Sequence, residues 1–149
     1  MRLTTKTRYA LRALVELAQQ YDEKPLSLAM IARRQRVKPK YLEQILFKLR
    51  RARLIKGKKG PGGGFLLARD PQEIRLKEIL GAVGESTAPV QCVLGKADKY
   101  CSHNALCPMQ ECWQELKGRL DSFFDNYTLH DVCSNKERKK QKRSNRGER

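Results

Sequence analysis

Acidic side chains are scarce: 16 Asp and Glu stand against 32 Lys and Arg in 149 residues, leaving a net charge of +16. A deficit of that size on a small protein points to a polyanionic partner, nucleic acid or an anionic membrane surface, with acidic proteins a third choice. Long hydrophobic runs are also missing. No stretch approaches the roughly 18 apolar residues that span a bilayer, and Met1 to Thr7 lack the apolar segment of a secretory signal, so the expected location is cytoplasmic. The length suits one domain, or a small domain with an appendage, which argues against a multi-domain enzyme. No internal repeat is present. Cysteine is sparse and odd in number, five in all; in a reducing compartment these are expected as metal ligands, redox thiols or buried small residues rather than disulfides.

The charge is unevenly placed. Residues 1–60 carry 17 basic and 4 acidic groups, residues 61–134 carry 7 and 10, and residues 135–149 carry 8 and 2. The polyanion therefore meets the first sixty residues. The last fifteen, NKERKKQKRSNRGER, contain no apolar residue to offset the entropy of ordering and are expected to form a disordered basic tail.

Apolar residues recur at helical spacing from about residue 5 to residue 21 (Tyr9, Ala10, Ala13, Leu14, Leu17, Ala18, Tyr21), predicting an amphipathic first helix. Ser27 then stands as an N-cap before LAMIARRQ, whose Leu28, Ile31 and Ala32 share a face. After a break at Arg36 to Lys38, Pro39 suits the first turn of a third helix, with Tyr41, Leu42, Ile45, Leu46 and Leu49 as its buried stripe through about Arg53. Short helix, tight turn and longer basic helix form the helix-turn-helix pattern. Leu54 to Lys58 and Phe65 to Ala68 predict two strands joined by KGPGGG, a β-hairpin wing. A helix over Leu76 to Val83 and a loop from Glu85 to Cys107 follow. Pro108 opens a long helix to about Tyr127. Its Met109, Cys112, Trp113, Leu116, Leu120, Phe123, Phe124 and Tyr127 fall at the spacing of a helix-packing seam, and a second copy of the chain is the expected partner. Thr128 to Cys133 adds a short terminal helix. The resulting class is mainly α: a winged helix-turn-helix domain (1–84), a cysteine-containing loop (85–107), a dimerising helix and terminal helix (108–134), and the tail (135–149).

With Tyr41, Leu42, Ile45 and Leu49 turned inward, Lys38, Lys40, Glu43, Gln44 and Lys48 are left on the outer face of the third helix, where recognition helices touch base edges. Gln can pair with adenine, Glu can accept from the cytosine amino group, and Lys suits guanine or phosphate. KKGPGGGF lacks the Gly-Lys-Ser/Thr ending of a phosphate loop and does not run from strand into helix; Lys58 and Lys59 at its tip instead suit a minor groove or backbone phosphates. The cysteines run Cys92-x8-Cys101-x5-Cys107-x4-Cys112, with Cys133 apart. This is not the paired spacing of zinc ribbons, although a zinc site stays open. Thiolates in one loop also suit an iron–sulfur cluster. Burial as small hydrophobes suits Cys133, competes with ligation for Cys112, and fits Cys101 badly.

MRLTTKTRYALRAL, YLEQILFKLRRARLI, KGPGGGFLLARD, the three-cysteine loop and the long helix with TLHDV after it resemble, over about residues 1–134, the IscR/NsrR/CymR family of bacterial winged-helix regulators. The resemblance implies a homodimeric transcription factor, usually a repressor, that binds an operator in double-stranded DNA and senses iron–sulfur status, nitric oxide or redox state. An enzyme is not expected, because the basic charge and the helix-turn-helix lie together, and neither is a membrane partner. Cys92, Cys101 and Cys107 match the trio that holds a 2Fe-2S or 4Fe-4S cluster in relatives. Gln110 stands where one branch has a ligating His, and Arg8 where some relatives recruit an acidic residue, which leaves the fourth ligand to Cys112, His103, a partner residue or an exogenous group. Glu43 and Gln44 match base-reading positions, and Lys59 a basic wing position. The candidate DNA-contacting set is Arg2, Lys38, Lys40, Tyr41, Glu43, Gln44, Lys48, Lys58, Lys59 and Gly60. The competing readings are a cluster-free regulator with zinc-binding or redox-active thiols and, from a different class, an iron–sulfur enzyme or electron carrier, which the absence of an evident acid, base or substrate pocket disfavours.

Overall fold

The computed structural model describes residues 3–21, 24–94 and 107–134. Arg2, Cys101, His103 and the tail from residue 135 lie outside the described residues. Helix α1 spans Thr5–Ala18 and is capped by Thr4, whose hydroxyl accepts from the Thr7 N–H at 3.4 Å. It stops short of Tyr21 because the N–H groups of Gln20 and Tyr21 donate to carbonyls only three residues back, which tightens the chain into a turn. Helix α2 spans Leu28–Gln35, with the Ser27 hydroxyl accepting from the Met30 N–H at 3.2 Å. Arg36 then takes a left-handed conformation (φ 53, ψ 48), and the Val37 N–H returns to the Ala32 carbonyl at 3.0 Å, which closes the helix end and aims the chain into the next one.

Helix α3 spans Pro39–Arg51, with proline in its first turn and Leu42, Ile45, Leu46 and Leu49 buried. It ends before the predicted Arg53 because that residue itself turns left-handed (φ 57) and the Leu54 N–H donates back to Leu49. Tyr41, expected in the buried stripe, is 38% exposed and meets Tyr9 of α1 edge-on at 6.2 Å. The four aliphatic side chains already fill the inward arc of α3, so the ring is left at its border.

Strands β1 (Ile55–Lys58) and β2 (Gly64–Leu67) form an antiparallel hairpin in which Ile55 faces Leu67 and Lys58 faces Gly64. Both sit one residue from their predicted bounds, since Leu54 is used to close α3 and Gly64 pairs with Lys58. Leu26 acts as a one-residue third strand: it exchanges hydrogen bonds with Phe65 at 3.0 and 2.8 Å and ties the wing to the entry of α2. Gly64 permits this approach, because a Cβ there would lie 2.4 Å from the Leu26 carbonyl oxygen.

Helix α4 (Leu76–Val83) packs on α1 and α3 and ends at Gly84 in a left-handed turn. The predicted plain loop after it contains a 3-10 turn over Gln91–Leu94. Helix α5 spans Gln110–Asn126; Pro108 and Met109 form the turn before it, as the Gln110 N–H donates to Cys107, and Tyr127 is already extended. Residues 129–134 form the terminal helix. The chain thereby returns to the body: the Leu76 N–H donates to Tyr127, and Leu129, fully buried, donates its N–H to Ile74 at 2.8 Å. One core joins α1 to α4, the wing base and Leu129. Each fully buried aliphatic side chain in it contributes about 1.5–3 kcal/mol relative to exposure.

Candidate nucleic-acid interface and cysteine segment

Burying Leu42, Ile45, Leu46 and Leu49 fixes the rotation of α3, and the opposite face follows from helical geometry. Lys38, Lys40, Glu43, Gln44 and Lys48 are all exposed, as predicted for them. Lys40, Gln44, Phe47 and Arg51 make a continuous outer stripe at steps of four, three and four residues. Phe47 and the arginines at the end of α3 were not among the candidates from sequence. Phe47 is 52% exposed, with the guanidinium groups of Arg50 and Arg51 over its ring at 5.9 and 6.0 Å from the centroid. Glu43 is the one acidic residue of the helix.

Two sets of contacts hold this face in place. The Gln35 amide donates to Glu16 of α1, and Arg34 lies 3.6 Å from the same carboxylate, which pins the helix-turn-helix to α1. On the wing side, Arg50 extends over Gly57 of β1, and the hairpin carries Lys58 and Lys59, both exposed, with Gly60 at φ 92 in the tip. Positive charge thus runs from α3 onto the wing.

The cysteine segment begins where α4 ends. Glu85, the residue after Gly84, folds back on the start of α1, where its Oε2 accepts from the Thr4 N–H at 3.0 Å, the Thr4 hydroxyl at 2.7 Å and the Thr7 hydroxyl. Burial opposes ionisation of Glu85, but the hydrogen bonds from Thr4 and Thr7 outweigh it and hold the carboxyl below the usual glutamate range. A group with a depressed folded pKa adds stability above its unfolded value near 4.5, and this is lost as pH falls through the folded one. Glu85→Gln is therefore expected to be less stable at pH 7, by about 1–2 kcal/mol, and to show a flatter melting temperature against pH below about 5. Thermal melts of both proteins across pH 3–7 check this. Parallel curves would assign the acid sensitivity elsewhere, to Asp121 or Asp131, whose carboxyls are also held low.

Cys92 sits half-buried in the Gln91–Leu94 turn, which packs against α5, and Cys107 is half-buried just before α5. Cys112 is exposed on the first turns of α5, while Cys133, expected as core, is only half-buried at the core's edge. Among the described residues no three His, Cys, Asp or Glu side chains are grouped to hold a metal. Cys101 and His103, which complete the candidate ligand set, lie outside them. Arg8 is exposed, and its guanidinium donates to Thr5 at 3.1 Å.

The seam on α5 divides in two. Trp113, Leu120 and Phe124 are half-buried, and Phe124 packs on the chain's own core. Met109, Leu116, Phe123 and Tyr127 are exposed, Leu116 at 38% and Phe123 at 52%, and no residue of α5 is fully buried. Phe123 meets Tyr127 in a tilted ring contact with centroids 4.9 Å apart. Among the described residues no helix is long and apolar enough to cross a membrane.

The family described as "Rrf2: Iron-dependent Transcriptional regulator" matches residues 3–135. The chain belongs to the Rrf2 family. Over 137 residues it is 38% identical to the HTH-type transcriptional regulator IscR of Escherichia coli (strain K12 / DH10B), covering 92% of this chain and 83% of that protein. Among solved structures, CymR of B. subtilis, described as its global cysteine regulator, superposes with a TM-score of 0.74 at 29% identity, covering 90% of this chain and 97% of CymR. T. potens IscR superposes at 0.71 with 30% identity, covering 91% of this chain and 88% of that one. The predicted winged-helix class is borne out, and these Rrf2 relatives are transcriptional regulators rather than enzymes.

Proposed function

We propose that this Rrf2 protein is a homodimeric, sequence-specific DNA-binding repressor acting in the cytoplasm, with Cys92, Cys101 and Cys107 holding an iron–sulfur cluster of 2Fe-2S or 4Fe-4S type. The observation that carries the DNA reading is the exposed stripe of α3 beside a lysine-tipped wing, on a fold similar to IscR and CymR. In this reading residues 1–84 contact the operator. Lys38, Lys40, Lys48, Lys58, Lys59 and Arg2 neutralise phosphates, Tyr41 and Gly60 line the approach, and Glu43 and Gln44 read base edges. Residues 108–134 pair the protomers, and the basic residues from 135 onward add sequence-independent attraction.

Support for the cluster comes from the donor chemistry and from the family's description as iron-dependent. Two half-buried thiols, Cys92 and Cys107, bracket the segment that carries Cys101. A bound cluster would supply the redox- or nitric-oxide-sensitive unit. The chain's own part is mechanical: Glu85 anchors one end of the segment to α1, and Cys107 leads directly into α5. A second reading, cluster-free with zinc-binding or oxidisable thiols, is favoured by the likeness to Staphylococcus aureus CymR, solved in an oxidized form, at a TM-score of 0.71. The spectrum of anaerobically purified protein separates the two: a brown, absorbing sample supports the cluster, and a colourless one the alternative.

Base reading has its own test. Glu43→Ala removes a cytosine-directed acceptor worth about 1–3 kcal/mol of discrimination while leaving the phosphate contacts. Specificity is expected to relax more than affinity falls. A binding-site selection in which the variant and parent prefer the same bases equally would remove Glu43 from the reading set.

A further inference from the structure

Every aliphatic residue within α3 is buried, yet Phe47 is left half in solvent at the middle of the stripe formed by Lys40, Gln44 and Arg51. An aromatic ring in that position has no partner in the core. Its rotation is constrained instead by Arg50 and Arg51, whose guanidinium groups lie over it at 5.9 and 6.0 Å. The ring is therefore presented as an apolar surface inside a cationic frame. Two adjacent positive charges select a polyanion over an apolar protein face. The edges of base pairs in the major groove carry one apolar mark, the thymine C5-methyl group, which Phe suits. Phe47 also follows Gln44 by three residues and Glu43 by four, so all three side chains project from neighbouring turns of one face.

We propose that Phe47 is a specificity-determining residue that contacts a thymine methyl group in each half-site, with Arg50 and Arg51 orienting its ring. The proposal rests on the DNA reading above. It adds an apolar discriminator to the polar pair Glu43 and Gln44, and makes thymine a required base beside those they read.

The test is a binding-site selection from a random duplex library with the full chain, its Phe47→Ala variant and its Phe47→Leu variant. The parent is expected to select thymine at one or more positions per half-site. Phe47→Ala should lose that preference and keep the others, with Phe47→Leu intermediate. Replacing the selected thymine by deoxyuridine, which removes only the methyl group, should weaken the parent about three- to five-fold per half-site, the scale of burying one methyl group, and leave Phe47→Ala unchanged. Equal motifs from parent and Phe47→Ala, or no response of the parent to uracil, would overturn the assignment while the DNA reading stands. A parent that selects no motif would overturn both. Because the ring is exposed, far-UV circular dichroism and melting temperature should match between parent and variants. The uracil measurement on the parent alone decides the question should a variant not fold.

Discussion

Alanine at any one of Cys92, Cys101 or Cys107 is expected to bleach anaerobically purified protein and to change operator affinity by about 5- to 150-fold, the usual span of a coupling free energy between two sites. If these three thiolates hold the proposed cluster, losing one would remove a ligand that the remaining two cannot replace. In the proposed reading the effect would reach DNA through the frame around the segment. At one end Glu85 is tied to the first turn of α1, and at the other the Cys107 carbonyl accepts from Gln110 at the start of α5. In the homodimer proposed above, a change of geometry between those points would shift α5 relative to the winged helix, and hence one recognition helix relative to its twin. Cys133→Ala is the control, since it lies at the edge of the core near the chain's return to α4, and should change neither colour nor binding. Cys112→Ala separates two roles: colour lost with normal dimerisation marks a fourth ligand, and weakened dimerisation with colour retained marks packing. Full colour and unchanged binding in Cys101→Ala would demote the protein to a regulator with another effector.

What the sequence made legible, and what it did not, follows from the range of the interactions involved. Helix starts were readable because their signals are local: Ser27 caps the Met30 N–H, and Pro39 opens α3. The helix-turn-helix, the wing and α4 were recovered for the same reason. Contacts between distant segments were not, as with Leu26 pairing with Phe65 or Glu85 capping the start of α1. No periodicity announces a one-residue bridge or a side chain that folds back across the domain. Tyr41 reads as inward in the sequence because an aromatic beside Leu42 fits an apolar stripe, but the four aliphatic side chains already fill the arc. Phe47 is hard to see in the sequence for the converse reason. Its neighbour Leu46 belongs to the core, and adjacency in sequence concealed that one residue along a helix is a rotation of about 100°. The signal was available, since placing Leu42, Ile45, Leu46 and Leu49 inside forces Phe47 outside. Likewise the α5 seam reads as one surface in sequence, whereas Phe124 goes to the chain's own core and Phe123 to solvent.

That division of α5 gives the other large expected effect. If the protomers pair through α5 as proposed, Leu116→Glu together with Phe123→Glu should convert the dimer into a monomer and lower operator affinity by about 10²- to 10⁴-fold, because two linked half-site contacts become one. Both positions are exposed in the protomer, so the substitutions leave the fold standing and the melting temperature of the isolated chain little changed. In a two-fold interface each residue meets a symmetry-related surface, so the pair places four carboxylates in one desolvated patch. Removing a charge from water costs several kcal/mol when no partner meets it. The aromatic pair Phe123 and Tyr127, in tilted contact with centroids 4.9 Å apart, is the kind of apolar anchor on which such interfaces depend. Ser122→Glu adds one such charge per chain at an exposed position off the stripe and should keep the dimer. Sedimentation gives the mass of each variant, and titration of a two-half-site duplex against a single half-site gives the affinity. If the double variant stays dimeric, the protomers pair through another surface, and the exposed half of the α5 seam must be covered by something other than its twin.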